Sequence, residues 1–329
     1  MAISLTLPQP VRRLSARELT FAAALLGLFV AGLASLAIAT GWEESLQHVT
    51  SLSLGQVALL LALSLVNYLA RALRWHLFVR RLGLPTTLWQ DMRHFLGGFA
   101  MTVTPGRVGE LIRLRWLKRE TGWSYSRTLT LPLADRASDL GSMGIVLGLA
   151  LLFSAASFAG ALPVAIIALG AALAITNPRV MEKLAHALWR LIGRWPRIFV
   201  RVRRAARSLS AYASPGMMTA ALGLGTIGWL AEGYALWLLL GWMGADIGLW
   251  MAVAIFAFAT LAGGLTGAPG GLGGAEAAMI ALLKVQGVPL GIALPATAVI
   301  RLTTLWFAIG IGCLIFPAAE RRAATASPT

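Results

Sequence analysis

The chain has 329 residues, of which 58% are hydrophobic and only 12% are charged. Soluble domains carry about 25% charged residues, so this composition excludes a soluble globular protein and predicts an integral membrane protein. The formal net charge is +15, but the lysines and arginines are concentrated in a few segments. That distribution indicates membrane orientation rather than nucleic-acid binding.

Cysteine and histidine are too few and too scattered to form a metal or redox centre. The single cysteine, Cys313, cannot form an intrachain disulfide, and no two of the four histidines lie at metal-ligand spacing. We therefore expect no metal and no other cofactor, and the sequence indicates no catalytic residue.

Six apolar runs are long enough to cross a bilayer as helices, since the hydrocarbon core requires about 20 apolar residues. In chain order they lie at about 20–40, 55–78, 128–153, 160–176, 217–241 and 291–316. The first run is too long for a signal peptide and has no small-residue cleavage pattern, so we expect it to be retained as a span.

Two further apolar stretches, 94–104 and 249–287, are interrupted by Gly and Pro. Non-helical backbone at membrane depth is tolerated only where protein or water satisfies its polar groups, so such a break usually lines a cavity. We predict a re-entrant hairpin at the first stretch, and either a hairpin or two short spans at the second.

Basic residues indicate how these spans are inserted. Residues 80–127 hold nine Lys and Arg, residues 178–210 hold nine more, and three arginines precede the first span. By the positive-inside rule these segments face the cytoplasm, which predicts a multi-pass protein of the cell inner membrane with both termini cytoplasmic. Because 178–210 mixes arginine with Trp, Leu and Ile, it is predicted to be a basic amphipathic helix on the inner leaflet.

Two motifs suggest that the chain is a duplicated unit. The pattern Pro-Gly-x-x-Gly occurs at Pro105 and again at Pro269, an offset of 164 residues. Two arginines inside apolar runs, Arg136 and Arg301, are offset by 165 residues. The two offsets agree to within one residue, which predicts an internal repeat.

We predict a single integral membrane domain over 1–329, with repeat 1 at about 20–155 and repeat 2 at about 160–316. Each repeat contains three spans and one Gly/Pro-broken hairpin, and the two insert in opposite directions. The predicted fold is therefore an all-α, polytopic membrane helix bundle with about six full spans and two hairpins, or about eight spans. Inverted repeats are typical of alternating-access transporters, whose sites lie on broken helices at the repeat interface.

Ionisable residues inside the apolar runs are candidates for a functional site, because each costs about 2.5–3.5 kcal/mol at the membrane centre. Asp135 and Asp139 are four residues apart and share a helical face, with Arg136 beside them. At the end of the second span, Arg74 and Trp75 are interpreted as interfacial anchors. Arg71 lies one turn deeper and is a candidate ligand.

Five sequence motifs resemble the transmembrane-region family of lysylphosphatidylglycerol synthases, which are flippase-like membrane proteins. They are Arg71-x-x-Arg74-Trp75, Pro105-Gly106-Arg107-x-Gly109-Glu110-x-x-Arg113, Asp135-Arg136-x-x-Asp139, Pro269-x-Gly271-x-Gly273-x-x-Glu276, and Arg301. The resemblance covers about 20–316, and one departure is Asp135, where the family more often has Glu. Two-domain members carry a soluble aminoacyl-transferase domain after this region, and we expect the present protein to act without one. The resemblance therefore implies a stand-alone member that handles a lipid without lysyl transfer.

From the residues and the resemblance we predict a membrane lipid translocator rather than an enzyme. It would move a phosphate-bearing lipid, such as a phospholipid, hopanoid or polyprenyl-linked lipid, between leaflets, so its expected partner is an anionic membrane lipid. Guanidinium groups match phosphate geometry, and carboxylates would balance them in the empty site. The predicted substrate-binding residues are Arg71, Arg107, Glu110, Arg113, Asp135, Arg136, Asp139, Glu232, Pro269, Gly271, Gly273, Glu276 and Arg301, of which Arg113 rests on the resemblance alone.

Two other functions stay open at this stage. Asp135 and Asp139 could hold a divalent metal in a membrane-embedded transferase that modifies a lipid, although no nucleotide-binding motif accompanies them. The chain could instead be a non-transporting scaffold for a separate lipid-modifying enzyme. A scaffold of this kind predicts that Arg136 and Arg301 tolerate replacement by Ala.

Overall fold

A computed structural model describes residues 47–102, 104, 111–154, 162–167 and 214–326, with single positions at 20, 24, 27, 170, 183 and 212. Several predicted features lie outside these residues. They are the first span, most of the span at 160–176, the amphipathic segment 178–210, and the Pro105 turn with Arg107 and Glu110.

The described part of the chain is built from helices. Those used below are α1 (Leu54–Arg81), α2 (Leu88–Gly97), α3 (Ile112–Thr121), α4 (Tyr125–Thr128), α5 (Thr130–Phe153), α6 (Pro215–Trp242), α7 (Leu249–Leu265), α8 (Gly274–Val285), α9 (Leu290–Arg301) and α10 (Phe307–Thr325). Short 3₁₀ turns occur at Gly98–Met101 and Pro269–Gly271, and a π-helical turn at Leu302–Trp306 joins α9 to α10.

Four of these helices are long and apolar enough to cross a membrane: α1, α5, α6 and the continuous helix Leu290–Thr325. They coincide with four of the predicted spans. No strand occurs among the elements that the structure describes. The predicted all-α, polytopic membrane helix bundle is therefore confirmed.

Local chemistry explains where the first helices begin. Ser53 precedes α1, and its hydroxyl accepts the Gln56 N–H while the Gln56 side chain accepts the Ser53 N–H. Thr87 and Gln90 form the same reciprocal pair at the start of α2. Each capping box satisfies two N–H groups that a helix start leaves without partners.

The region 249–287 forms a hairpin of two short helices. Helix α7 has 17 residues and α8 has 12, so each falls short of the roughly 20 residues that a full span requires. The two helices pack against each other, and the Gly-rich turn between them contains Pro269. In the first half, the ten-residue helices α2 and α3 correspond to them.

The described elements recur in the same order in the two halves of the chain. A 28-residue helix comes first (α1 and α6), a pair of short helices follows, and a long helix closes each half (α5, and α9 with α10). Helices α1 and α6 pack together, α5 packs on α7, and α10 packs on α2 and the 3₁₀ turn after it. The closing helix of each half therefore contacts the hairpin of the other half, while the opposite insertion of the halves stays a prediction.

Candidate functional site

The first arginine cluster consists of Arg71, Arg74, Asp135 and Asp139 and joins α1 to α5. Arg74 Nη2 donates to Asp135 Oδ1 at 2.6 Å and to Asp139 Oδ1 at 2.7 Å. Arg71 Nη2 donates to Asp139 Oδ2 at 2.6 Å. The four-residue spacing of the aspartates presents both carboxylates to α1, as the sequence predicts, and the spacing of the arginines presents both guanidinium groups to α5.

The interpretation of Arg74 and Trp75 as interfacial anchors was wrong. The Arg74 side chain is 0% exposed and Trp75 is buried. Helix α1 continues for seven residues beyond Arg74, about 10 Å at the α-helical rise, and the exposed arginines near its end are Arg80 and Arg81. Arg74 is buried because the two carboxylates of α5 compensate its charge.

Aromatic rings surround the arginines beside this cluster. Phe95 contacts two guanidinium groups, with its ring centroid 5.7 Å from Arg71 Cζ and 4.3 Å from Arg113 Cζ. Arg71 also lies 5.2 Å from the Trp229 ring of α6. Arg113, implicated only by the resemblance, is buried, and Gly98 leaves room for it, since a Cβ there would lie 2.2 Å from Arg113 Nε.

Three buried donors beside this cluster have no acceptor among the described residues. They are Arg71 Nε, Arg74 Nη1 and Trp229 Nε1. A buried N–H group without a partner is unfavourable by about 1–3 kcal/mol, and by more when it is charged. The cluster therefore retains hydrogen-bonding capacity for an acceptor other than its own aspartates.

The second arginine cluster consists of Arg301, Glu276 and the turn Pro269–Gly273. Arg301 Nε donates to Glu276 Oε1, and Arg301 Nη2 donates to the Gly270 carbonyl at 2.9 Å. Gly270 has φ +64°, a left-handed conformation that favours glycine and that presents this carbonyl to the guanidinium. The structure thus brings Arg301 to Glu276 and to the Gly270 carbonyl, in the same turn region as Pro269, Gly271 and Gly273, with which they were predicted to share a site.

The two remaining described candidates lie apart from one another. Arg136 is at the edge of the first cluster, with Nη1 3.8 Å from Asp139 Oδ2 and a side chain that is 41% exposed. It is therefore the accessible guanidinium of this region. Glu232 is buried on α6 and interacts electrostatically with Tyr68 of α1. Arg136 and Arg301, although related by the repeat offset, are therefore placed differently: Arg136 lies at the edge of the first cluster, and Arg301 belongs to the second.

Comparison with known proteins assigns the chain to a family. The family model described as the lysylphosphatidylglycerol synthase TM region matches residues 21–312. The chain belongs to this family. It is also similar to a UPF0104 membrane protein of Methanothermobacter thermautotrophicus, 26% identical over 281 residues that cover 78% of this chain and 81% of the relative. A second match to a UPF0104 membrane protein of that organism is 33% identical over 89 residues, 27% of this chain and 26% of the relative.

Both arginine clusters lie within the part of the chain that matches the lysylphosphatidylglycerol synthase TM region. The match supports a membrane lipid-related role for a multi-pass membrane protein. Arg107 and Glu110, which the resemblance also implicates, lie outside the described residues.

Two ionic contacts of α3 were not predicted from the sequence. Glu320 of α10 is fully buried and accepts from Arg115 and from Trp116 Nε1, the latter at 2.8 Å. Glu120 accepts from Arg93 at 2.9 Å and lies 3.1 Å from His94 Nε2. The only sequence signal for Glu320 is a lone acid after an apolar run, which does not identify its partner more than 200 residues away.

The charges around Glu120 determine its ionisation. Burial acts to raise the pKa of Glu120, but the neighbouring side chains of His94 and Arg93 outweigh burial and lower it. Asp91 of α2 responds in the opposite direction, because burial raises its pKa despite hydrogen bonds with His76 and Thr86. The contacts of Glu120 and Glu320 fix α3 against α2 and α10.

Proposed function

We propose that the protein is a membrane lipid translocator that moves a phosphate-bearing lipid between leaflets. The observation that carries this proposal is the set of buried donors without acceptors beside the first arginine cluster, Arg71 Nε, Arg74 Nη1 and Trp229 Nε1. A phosphate group offers several strong acceptor oxygens and a negative charge, so it fits donors of this kind. Intramembrane arginines are candidates for function by default, and the family supports a lipid-related role.

The exchange of ion-pair partners supplies a mechanism. In the empty site Asp139 holds Arg71 and Arg74, and Glu276 holds Arg301. An arriving phosphate takes over part of this hydrogen bonding, so the guanidinium groups are not left without partners at any stage. The Gly-rich turn beside Arg301 and the matching turn of the first half act as gates in this proposal.

The remaining parts of the proposal concern the setting of the site. We place the protein in the cell inner membrane with both termini in the cytoplasm, on the basis of its basic segments. It acts without catalytic residues of its own, and a separate lipid-modifying enzyme would supply or consume its lipid. The substrate is a phospholipid, a hopanoid carrying a phosphate, or a polyprenyl-linked lipid.

The rival transferase function has less support. A divalent metal at Asp135 and Asp139 would need carboxylate oxygens that already accept hydrogen bonds from Arg74 at 2.6 and 2.7 Å. A buried metal ion would also lie beside two guanidinium charges. A covalently altered lipid produced by purified protein would favour this alternative.

Leaflet exchange in proteoliposomes tests the proposal. Fluorescent phosphatidylglycerol and a fluorescent polyprenyl phosphate are compared in vesicles that contain wild type, Arg136→Ala, Arg301→Ala or the control Arg80→Ala. Arg80 is an exposed arginine of α1 outside both clusters. Loss of a charged hydrogen bond of about 1.5–3 kcal/mol lowers exchange about ten- to a hundredfold if it acts in the rate-limiting step.

Exchange that falls in Arg136→Ala and Arg301→Ala but not in Arg80→Ala would support the proposal and identify the lipid class. Normal exchange in both variants would remove Arg136 and Arg301 from the site, as the scaffold alternative predicts. Tryptophan fluorescence and size-exclusion elution of each variant control for misfolding before reconstitution.

A further inference from the structure

Tyr68 connects the two arginine clusters. Its side chain is 3% exposed on α1, three residues before Arg71, and its hydroxyl donates to the backbone carbonyl of Thr304. Thr304 lies three residues after Arg301, within the π-helical turn. The phenol therefore joins the helix that carries the first cluster to the turn that follows the arginine of the second.

The π-helical turn explains why this contact matters for Arg301. In such a turn the N–H groups donate to the carbonyl five residues back rather than four, as the Phe307 N–H does to Leu302. The turn therefore contains one extra residue, and this extra residue sets the rotation of α9 relative to α10. π-Helical turns occur frequently at functional sites, and here the turn begins immediately after Arg301.

The Tyr68 ring is itself held in place from two sides. Its centroid lies 5.3 Å from that of Phe99 in an edge-to-face arrangement and 6.0 Å from that of Phe307. Aromatic pairs at these separations are attractive and restrict the ring. The hydroxyl is thus directed at the Thr304 carbonyl by packing that does not depend on the hydrogen bond.

Tyr68 also lies close to the boundary between the two halves of the chain. It interacts electrostatically with Glu232 of α6, and Glu232 follows Tyr68 by 164 residues, the offset of the Pro-Gly motif. Tyr68 and Glu232 therefore occupy equivalent positions of the predicted repeat.

We propose that Tyr68 is a positioning residue for Arg301. Its hydroxyl fixes the turn Leu302–Trp306 and thereby holds the Arg301 guanidinium against Glu276 and the Gly270 carbonyl. The inference rests on the proposed lipid translocation, because it is in that activity that the placement of Arg301 matters. It adds to that function an uncharged residue that is not part of the family motifs given above.

Tyr68→Phe tests the proposal, since it removes the hydroxyl and keeps the packed ring. The matched control is Tyr234→Phe, at an exposed tyrosine of α6 that packs beside Trp237. The first readout is amide hydrogen exchange of peptides covering 301–307 in detergent. Loss of a typical hydrogen bond changes an equilibrium about two- to tenfold, so we expect exchange in this segment to be faster by that factor in Tyr68→Phe and unchanged in Tyr234→Phe. Unchanged exchange in Tyr68→Phe would overturn the proposal whatever the protein transports.

The second readout is lipid exchange in proteoliposomes. We expect Tyr68→Phe to lower it at least fivefold, and we expect no further loss when Tyr68→Phe is added to Arg301→Gln, because Tyr68 acts through Arg301. The positioning role would be contradicted if Tyr68→Phe lowered lipid exchange by the same factor in the Arg301→Gln background as in wild type. It would also be contradicted if Tyr68→Phe alone left lipid exchange undiminished. If wild type exchanges no lipid, the proposed function fails, and the hydrogen-exchange result by itself decides whether Tyr68 holds the turn.

Discussion

Replacing Arg74 by Met tests whether the first arginine cluster is a buried ionic network. The side chain of Met has similar length but no charge, so Asp135 loses the only partner that the described residues give it, while Asp139 keeps Arg71. Removing one member of a buried ion pair costs about 3–5 kcal/mol, because the other charge stays buried without compensation. In a chain of 329 residues an unfolding entropy of about 2.1 cal/mol/K per residue means that each kcal/mol lowers the melting temperature by about 1.5 °C, so we expect a fall of about 4–7 °C.

Scanning fluorimetry of the purified protein in detergent measures this change. The control is Arg80→Met, at an exposed arginine on the same helix. Because surface substitutions usually change stability little, we expect it to shift the melting temperature by at most about 2 °C. Adding Asp135→Asn to Arg74→Met removes the unpaired negative charge, and we expect it to recover about half of the lost stability. A fall below about 3 °C for Arg74→Met, or no recovery in the double variant, would refute the assignment of Arg74 to a buried network.

Three further predictions concern packing and the ionic contacts of α3. Gly312→Val should lower the stability by about 1–3 kcal/mol through overpacking, since a Cβ there would lie 2.2 Å from the Ala100 backbone nitrogen. The control Gly310→Val should have little effect, because a Cβ there meets nothing within 4 Å. Equal effects of the two variants would contradict the close contact of α10 at Gly312. Because the pKa of Glu120 is lowered, its stabilisation is present above the ordinary value of 4.5 and lost as the pH falls below it. Between pH 5 and 3 the melting temperature of Glu120→Gln should therefore fall less than that of wild type. Melting temperatures measured at steps of about one pH unit check this, and parallel curves of melting temperature against pH for the two proteins would reject the ion pair. Glu320→Gln should destabilise the protein by about 1–3 kcal/mol in the same assay, because arginine donors lose a charged acceptor, and an unchanged melting temperature would show that this contact is dispensable.

The sequence anticipated most of the fold because hydrophobic run length is a local property. The boundaries predicted for α1, α5 and α6 agree with the structure to within about three residues, and the last helix begins one residue before its predicted start but continues nine residues past its predicted end. The Gly-rich turn at Pro269 was also predictable, since proline and glycine interrupt a helix wherever they occur together. Element order in the two halves follows from the same local signals.

The partners of the charged residues were only partly predictable. The spacing of Asp135 and Asp139 determines that they share a face, and the structure confirms it. Nothing in the spacing indicates that Arg74 rather than Arg136 supplies both hydrogen bonds, because that choice depends on how α1 and α5 are rotated against each other. Arg74 also shows why position near a helix end is a poor guide, since α1 continues for seven residues beyond it.

By itself, then, the sequence determined that this is a polytopic helical membrane protein. It also determined where the helices lie and which apolar segments carry charge. Each of these properties depends on residues within one or two helical turns of each other. Only the tertiary structure decided the ion-pair partners of Arg74, the contact of Glu320 with α3, and the hydrogen bond from Tyr68 to Thr304. Each of these joins residues more than 60 positions apart, and the last depends on a π-helical turn that shifts the register of one helix by a single residue. Such contacts are selected by packing of whole helices, where burying a charge without a partner is unfavourable by several kcal/mol, on the order of the stability of a domain.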